Sequence, residues 1–140
     1  MTEPLILVIE DEPQMLRFLR ASLGTHGYRI VESTDARDGM AQAAARAPDV
    51  ILLDLGLPDV DGLDVTQRLR EWTHTPVVIL TVQDAETDKI AALDSGADDY
   101  VTKPFNTGEL LARLRVALRH AAKPQEVTVY QSGNLVVDLA

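Results

Sequence analysis

The sequence predicts an α/β fold, a doubly wound five-stranded parallel sheet with helices on both faces, and three features agree on it. Short apolar runs alternate with segments of helical periodicity along the whole chain. Three of these runs are continuous, which is typical of strands whose two faces are both buried. The chain has 140 residues and no cysteine, so a hydrophobic core without disulfides is expected to hold it together.

The predicted elements follow one another in a regular order. The strands are Leu5–Ile9, Tyr28–Val31, Val50–Leu53, Val77–Leu80 and Tyr100–Val101. Helical spacing of apolar residues is found in Met15–Leu23, Val65–Trp72, Ile90–Leu93 and Leu110–Leu118, and an alanine-rich helix is expected near Ala36–Arg46. His26-Gly27 and Ala47-Pro48 end the first two helices, and Thr107 is the predicted cap of the last. Right-handed crossovers favour the flavodoxin-like strand order 2-1-3-4-5.

Charge and hydropathy exclude several classes of function. The 22 acidic residues outnumber the 13 basic ones, and the resulting net charge of −9 disfavours binding of nucleic acid by this part of the chain. The first four residues carry no basic stretch before an apolar run, as a secretory signal would. The longest apolar runs are too short to span a bilayer. A cytoplasmic protein that does not enter a membrane is therefore expected.

Acidic residues follow two strands that are neighbours in the predicted order. Glu10 and Asp11 come directly after the first strand, and Asp54 comes directly after the third. The carboxyl ends of parallel strands meet at one edge of the sheet, so we expect these groups to converge. Carboxylates about 4 Å apart repel by ~4 kcal/mol at an effective dielectric near 20 unless they bind protons or a cation. A small site of oxygen ligands favours Mg²⁺, bound by Asp11, Asp54 and one backbone carbonyl.

Two further groups are expected at the same edge of the sheet. Thr81 ends the fourth strand, and Lys103 follows the fifth. Carboxylates, a divalent cation, an ammonium group and a hydroxyl group together indicate phosphoryl transfer, with Asp54 as the nucleophile. Taken singly, the acids would cap helices or form turns, Lys103 would be a solvated lysine, and Thr81 would be a turn hydroxyl. The phosphoryl-transfer site is favoured because all of these groups follow strands that end at one edge.

Three motifs resemble the signature of response-regulator receiver domains. They are Glu10-Asp11-Glu12, the stretch ILLDLGLPDVDG from Ile51 to Gly62, and the stretch GADDYVTKPF from Gly96 to Phe105. Thr81 stands between the second and third motifs, where the family has its switch hydroxyl. The resemblance extends from about Leu5 to His120 and assigns a receiver domain to residues 1–121.

This resemblance implies a phospho-acceptor switch rather than a metabolic enzyme. A sensor histidine kinase would be the partner that donates a phosphoryl group to Asp54. The domain would itself catalyse this transfer and its own later dephosphorylation. Mg²⁺ would be bound by Asp11, Asp54 and the Gly56 carbonyl, with Glu10 acting through a water molecule.

The resemblance also implies how the switch would work. Lys103, joined to Pro104 by a cis bond, would pair with the phosphoryl oxygens. Thr81 would move to bond the phosphoryl group, and Tyr100 would then turn inward. Val82 departs from the family pattern, which has a smaller residue after the switch hydroxyl, and its side chain would narrow the access to Asp54.

Within the receivers, the sequence resembles the OmpR/PhoB family and is most like the potassium-responsive KdpE regulators. The segments that carry this are Leu55–Pro58, Asp88–Asp94 and Gly108–Arg115. The family implies a homodimer through the fourth helix, fifth strand and fifth helix. Its apolar centre would be Ile90, Leu93 and Leu111, with the ion pairs Lys89–Glu109 and Asp99–Arg113 across it. A second departure, His120 in place of an arginine, leaves one further ion pair in doubt.

The last part of the chain changes character. Residues 122–126 read as a linker, and residues 127–140 resemble the first strands of a winged-helix DNA-binding domain that is otherwise missing. A flexible tail is the alternative. With that domain, the protein would bind DNA and control transcription, with a potassium-transport operon as the candidate target.

Two other functions are compatible with an acidic cluster at the strand ends. A stand-alone receiver would act through a protein partner instead of DNA. A phosphohydrolase with an aspartyl nucleophile would need an acid two residues after Asp54, where this chain has Gly56.

Overall fold

A computed structural model describes residues 3–82 and 86–122 of the chain, with side chains except those of residues 86–89 and 122. Five strands and five helices alternate along these residues. They are β1 (Leu5–Ile9), α1 (Pro13–Thr25), β2 (Arg29–Ser33), α2 (Ala36–Arg46), β3 (Val50–Asp54), α3 (Gly62–Arg70), β4 (Val77–Thr81), α4 (Glu86–Asp94), β5 (Asp99–Thr102) and α5 (Thr107–Ala122).

The five strands form one parallel sheet in the order β2-β1-β3-β4-β5. The predicted fold class and strand order are therefore confirmed. Every residue of β1, β3 and β4 is buried, which explains why these strands appear in the sequence as continuous apolar runs. β2 is an edge strand that is mostly half-buried, and it begins one residue later and ends two residues later than predicted.

Two hydrophobic clusters lie on opposite faces of the sheet. Side chains alternate along each strand, so Ile6 and Val8 belong to one cluster while Leu7 and Ile9 belong to the other. Helices α1 and α5 cover the first cluster, mainly with leucines: Leu16, Leu19, Leu23, Leu110, Leu111 and Leu114. Helices α2, α3 and α4 cover the second with three alanines, a valine and a leucine: Ala36, Ala43, Ala92, Val65 and Leu69. Each fully buried leucine contributes about 1.5–3 kcal/mol of transfer free energy to this arrangement.

The ends of the helices follow the sequence signals, with one exception. α1 ends before His26 and Gly27, whose φ is 86°, and α2 ends at Ala47 in the left-handed region with φ 46°. The predicted cap of α5 is wrong, because Thr107 is the first helical residue and Asn106 is the cap. Asn106 Oδ1 accepts a hydrogen bond of 2.6 Å from Glu109 N. Adjacent Asn and Thr are both good caps, and the sequence alone did not separate them.

The strand ends bring the predicted site residues to one edge of the sheet. Asp54 is the last residue of β3. Thr81 is the last residue of β4 and pairs with Thr102 at the end of β5. Glu10 directly follows β1, and Lys103 directly follows β5. None of the helices within residues 3–82 and 86–122 has both the length and the apolar character needed to cross a bilayer.

Helix α3 begins in close contact with the end of β3. A methyl group on Gly62 would lie 2.9 Å from Leu55 Cα and 3.0 Å from the carbonyl oxygen of Asp54. These atoms belong to the backbone and cannot turn away as a flexible side chain would. Glycine at this position therefore lets the loop between β3 and α3 fold tightly beside Asp54.

A pair of glycine substitutions tests this packing. Gly62→Ala should lower the free energy of unfolding by about 1–3 kcal/mol, because the added methyl group overpacks the junction. Gly24→Ala is the matched control, since a methyl group there would meet nothing within 4 Å in the exposed part of α1. It should raise the free energy of unfolding by about 0.5–1 kcal/mol. Urea denaturation measures both, and an unchanged stability of Gly62→Ala would contradict the close approach.

Candidate phosphoryl-transfer site

Three carboxylates meet at the carboxyl edge of the sheet, as predicted. Glu10 is 1% exposed and Asp54 is 8% exposed, whereas Asp11 is open to solvent. One oxygen atom from each of the three lies within 4.8 Å of the others. The pairing of β1 with β3 causes this, because the first residue after β1 and the last residue of β3 lie side by side. The mutual repulsion of such a group makes it a site for a proton or a cation.

Lys103 supplies a positive charge to two of these carboxylates. Its Nζ lies 3.0 Å from Glu10 Oε1 and 3.3 Å from Asp54 Oδ1. The backbone holds the lysine here, because Lys103 N donates to the carbonyl oxygen of Thr81 at 2.6 Å. The expected cis bond between Lys103 and Pro104 is present. The lysine side chain is 11% exposed, so these charges interact with little screening by solvent.

Burial and pairing act in opposite directions on the ionisable groups. Burial raises the pKa of Glu10 above its usual value, although the hydrogen bonds from Lys103 and from Glu12 N oppose it. Burial also acts to lower the pKa of Lys103, but its contacts with Glu10 and Asp54 outweigh this and raise the pKa. Lys103 is therefore a cation throughout the physiological range, beside two acids that it bonds directly.

The charged groups surround one open cavity of about 460 Å³. Its lining includes every residue predicted to take part in the chemistry: Glu10, Asp11, Asp54, Gly56, Thr81 and Lys103. Thr81 is 4% exposed at the end of β4. Val82, which is bulkier than the residue that the family pattern has after the switch hydroxyl, is 67% exposed and also lines the cavity. The cavity is thus accessible to a phosphoryl donor.

The donor atoms of this cavity fit a divalent cation that prefers oxygen ligands. Carboxylates, backbone carbonyls and water are the ligands that Mg²⁺ uses. Asp11, Asp54 and Glu10 supply the carboxylates. The Gly56 backbone is adjacent, because a methyl group on Gly56 would lie 3.8 Å from Asp54 Oδ2. The acidic pocket expected for Mg²⁺ is therefore formed.

The sequence matches the response regulator receiver domain family over residues 6–115. The chain belongs to this family. It is 49% identical over 136 residues to the KDP operon transcriptional regulatory protein KdpE of Escherichia coli, covering 96% of this chain and 60% of that protein. KdpE of Mycobacterium tuberculosis is also 49% identical, over 138 residues, with 97% of this chain and 61% of that protein covered. The predicted resemblance to KdpE regulators is confirmed.

Solved structures agree with the assignment. The BeF3-activated N-terminal receiver domain of RstA from Klebsiella pneumoniae has a TM-score of 0.80 and 36% sequence identity. That comparison covers 82% of this chain and 98% of the RstA chain. The chain spans about three fifths of the length of the two KdpE proteins.

The predicted dimer residues belong to α4, β5 and α5, which form a second surface, and the switch residue Tyr100 belongs to β5. Ile90 and Leu93 are exposed by 49% and 45%, as an interface requires. Leu111 is 6% exposed and packs in the core under α5, so it offers little surface to a partner. Tyr100 is half-buried and packs against the second cluster. The side chain of Lys89 lies outside the described part.

An ion-pair group lies on the same surface. Arg113 Nη1 donates to both carboxylate oxygens of Asp99, each at 2.9 Å, within one chain. The guanidinium carbon of Arg113 lies 6.0 Å from the centre of the Tyr100 ring. Glu109 is a further partner, with a distance of 3.4 Å to Arg113 Nη2. The predicted pair Asp99–Arg113 thus forms here inside the chain, and an intersubunit pair would have to replace it.

Sequence reasoning missed one acidic residue that lines the cavity. Asp61 lines the cavity and caps α3, since its Oδ1 accepts from Leu63 N at 2.9 Å. The Asp-Gly pair before an apolar helical segment was a sufficient signal for this cap.

His74 and His120 line a different cavity of about 350 Å³ with Asp49 and Asp98, which lie before β3 and β5. That cavity is at the opposite edge of the sheet from Asp54.

Removal of one carboxylate tests the metal site without any chemistry. Mg²⁺ should raise the melting temperature of the wild type, because a ligand that binds only the native state stabilises it. Asp11→Asn should lose most of this rise and keep the fold. Glu71→Gln, an exposed acid outside the cavity, is the control and should keep the full rise. Thermal denaturation with and without Mg²⁺ measures the effect, and an equal rise in Asp11→Asn would show that Asp11 is no ligand.

Proposed function

We propose that this receiver domain is the phosphorylation switch of a two-component regulator and that Asp54 accepts a phosphoryl group from a phosphohistidine of a sensor kinase. The observation that carries the proposal is the placement of the Lys103 ammonium group within 3.3 Å of Asp54 in an open cavity. Asp54 lines that cavity, and its backbone is held in place because it is the last residue of β3. A nucleophile next to a fixed cation is the arrangement that phosphoryl transfer needs.

In the proposed step, an oxygen of the Asp54 carboxylate attacks the phosphorus atom of the donor. A P–O bond forms, the P–N bond to the donor histidine breaks, and its electron pair returns to the imidazole nitrogen. Lys103 stabilises the charge that spreads over the phosphoryl oxygens. Mg²⁺, bound by Asp11, Asp54 and the Gly56 carbonyl with Glu10 acting through water, would supply further charge neutralisation. The Thr81 hydroxyl would donate to the product.

A second reaction would end the phosphorylated state: water in the same cavity attacks the phosphorus atom, the P–O bond to Asp54 breaks, and inorganic phosphate leaves. We propose that the domain promotes this reaction on its own phosphorylated form, as the resemblance implies. Sustained turnover of external phosphate esters is not expected, because Gly56 stands where a hydrolase would have its general acid. The protein would therefore act as a timed switch.

Mapping of the acceptor tests the central proposal. Incubation with Mg²⁺ and acetyl phosphate should add one phosphoryl group to Asp54, and mass spectrometry of the borohydride-trapped peptide locates it. Asp54→Asn should remove the label almost completely, since an amide oxygen is a poor nucleophile. Asp64→Asn, an exposed acid on α3, is the control and should be labelled like the wild type. A phosphoryl group on another residue would refute the assignment.

We propose that the phosphorylated form dimerises through the surface of α4, β5 and α5. Phosphorylation adds about −1.5 to −2 charges at the edge of the sheet. Thr81 would move toward that charge, and Tyr100, already packed against the second cluster, would turn further inward. The exposed Ile90 and Leu93 supply apolar contacts for a two-fold interface. Lys89–Glu109 and Asp99–Arg113 would form the ion pairs across it, with Leu111 beneath.

The output of the switch is proposed from the length of its relatives. The two KdpE proteins are named as transcriptional regulators and continue beyond the region matched here. We propose that residues 122–126 are a linker and that residues 127–140 begin a winged-helix domain that binds DNA, with a potassium-transport operon as target. Residues 123–140 lie outside the described part of the structure. A stand-alone receiver remains the alternative, and the reading frame after Ala140 decides between them.

A charge exchange tests the dimer surface. Glu109→Lys should weaken the phosphorylated dimer, because it places two cations together where the family has an ion pair. Adding Lys89→Glu should restore much of the association, and an exposed pair of this kind is worth up to about 1 kcal/mol. Glu71→Lys, on an exposed position after α3, is the control for net charge. Sedimentation velocity measures the dimer fraction, and a dimer insensitive to Glu109→Lys would place the interface elsewhere.

A further inference from the structure

The loop between β3 and α3 is a closed unit beside the phosphoryl-transfer site. Leu55 N donates to the carbonyl oxygen of Leu80 at 3.1 Å, and Gly62 N donates back to the carbonyl oxygen of Leu55 at 3.4 Å. These bonds fix the two ends of the loop. Gly56 follows the first of them and lies against Asp54, as the distance of 3.8 Å for an added methyl group indicates. The position of the Gly56 carbonyl therefore depends on what holds the middle of the loop.

Asp59 holds the middle of this loop to a different helix. Its Oδ1 accepts from Ala36 N at 2.8 Å, and its Oδ2 accepts from Arg37 N at 3.1 Å. These donors are the first two N–H groups of α2, which have no partner inside the helix. Asp35, the local cap of α2, accepts instead from Asp38 N at 2.8 Å. The two acids thus have separate tasks, and Asp59 joins α2 to the loop through two hydrogen bonds.

Helix α2 is in turn fixed to β2, the strand that lies beside β1. Ser33 at the end of β2 is 2% exposed, and its hydroxyl donates to Asp38 Oδ2 at 2.7 Å. The carbonyl oxygen of Ser33 accepts from Glu10 N at 2.9 Å. A continuous set of hydrogen bonds therefore runs from Glu10 through the start of α2 to Asp59. The Ala36 N–H lowers the pKa of Asp59 below its usual value, so the acceptor is an anion at neutral pH.

We propose that Asp59 is a positioning residue for the phosphoryl-transfer site, because its carboxylate fastens the β3–α3 loop to α2 and so fixes the position of the Gly56 carbonyl, which would be a ligand of Mg²⁺. This inference rests on the proposed function, which places Gly56 among the metal ligands. Asp59 itself lies outside the cavity lining. Its loss would act through Gly56, as the loss of groups that orient metal ligands does elsewhere.

If Asp59 only stabilised the fold, its substitution would lower the melting temperature without changing the affinity for Mg²⁺. Asp35 provides the control. Asp35→Ala removes a cap from the same helix without touching the loop. Asp35→Ala and Asp59→Ala should each lower the melting temperature by about 4 °C, since each leaves N–H groups of α2 without an acceptor. Asp59→Asn keeps an oxygen acceptor for one of the two N–H groups and should be intermediate.

The decisive measurement is the affinity for Mg²⁺ alone, by isothermal titration in the absence of any phosphodonor. Asp59→Ala should raise the dissociation constant about 10-fold, whereas Asp35→Ala should leave it at the wild-type value. With acetyl phosphate as probe, the Mg²⁺ concentration for half-maximal phosphorylation should rise by the same factor. The rate at saturating Mg²⁺ should stay close to that of the wild type, because Asp54 and Lys103 are untouched.

Equal Mg²⁺ affinities for Asp59→Ala and Asp35→Ala would overturn the inference, and so would a loss of rate that saturating Mg²⁺ does not restore. If Asp59→Ala fails to fold, Asp59→Asn decides by the same two measurements. Failure of the proposed function has another signature: the wild type would then take no phosphoryl group on Asp54. The titration of Mg²⁺ without a phosphodonor still tests Asp59 in that case.

Discussion

The contact of Lys103 with Glu10 and Asp54 is the constraint on which the functional edge of this receiver domain depends. Carboxylates of three residues lie within 4.8 Å of one another, and each pair at about 4 Å repels by ~4 kcal/mol at an effective dielectric near 20. One ammonium group compensates part of this repulsion, and the remaining negative charge attracts a divalent cation. Lys103 reaches the acids because β5 is fixed beside β4, where its backbone N–H bonds Thr81.

The stability of the domain comes from its hydrophobic core and not from the charged groups at the carboxyl edge of the sheet. Two clusters of buried aliphatic residues lie on the faces of the sheet, away from the carboxyl edge. This separation lets the edge hold like charges close together, because the folding free energy does not depend on favourable contacts there. The start of α3 shows the same division, since Gly62 permits a tight loop beside Asp54 while Val65 and Leu69 anchor the helix in the core.

Much of this could be predicted from the sequence. The central strands are buried on both faces, so they appear as continuous apolar runs, and the topology rule for parallel sheets then placed Glu10, Asp54, Thr81 and Lys103 at one edge. A helix cap was harder to predict where two adjacent residues both suit the position, as Asn106 and Thr107 do at the start of α5. Leu111 was interpreted as a surface residue, but a helix that covers a sheet buries a stripe wide enough to include both Leu110 and Leu111. The contact of Asp59 with α2 joins residues 22 and 23 positions apart, through two loops whose conformations no periodicity predicts.

Strand β5 connects the candidate phosphoryl-transfer site with the proposed dimer surface. Lys103 begins the loop after β5, while Asp99 and Tyr100 are its first two residues. Asp99 is held by Arg113 with two bonds of 2.9 Å, and the same guanidinium group lies over the Tyr100 ring. A change of charge at Asp54 acts directly on Lys103 and on Thr81, the partner of the last residue of β5. A strand of four residues that is bonded at one end to the site and at the other to Arg113 has little freedom to absorb a shift locally. Movement at the site would therefore be passed to the Asp99–Arg113 pair, which would have to open before Arg113 could pair with a second chain in the proposed dimer.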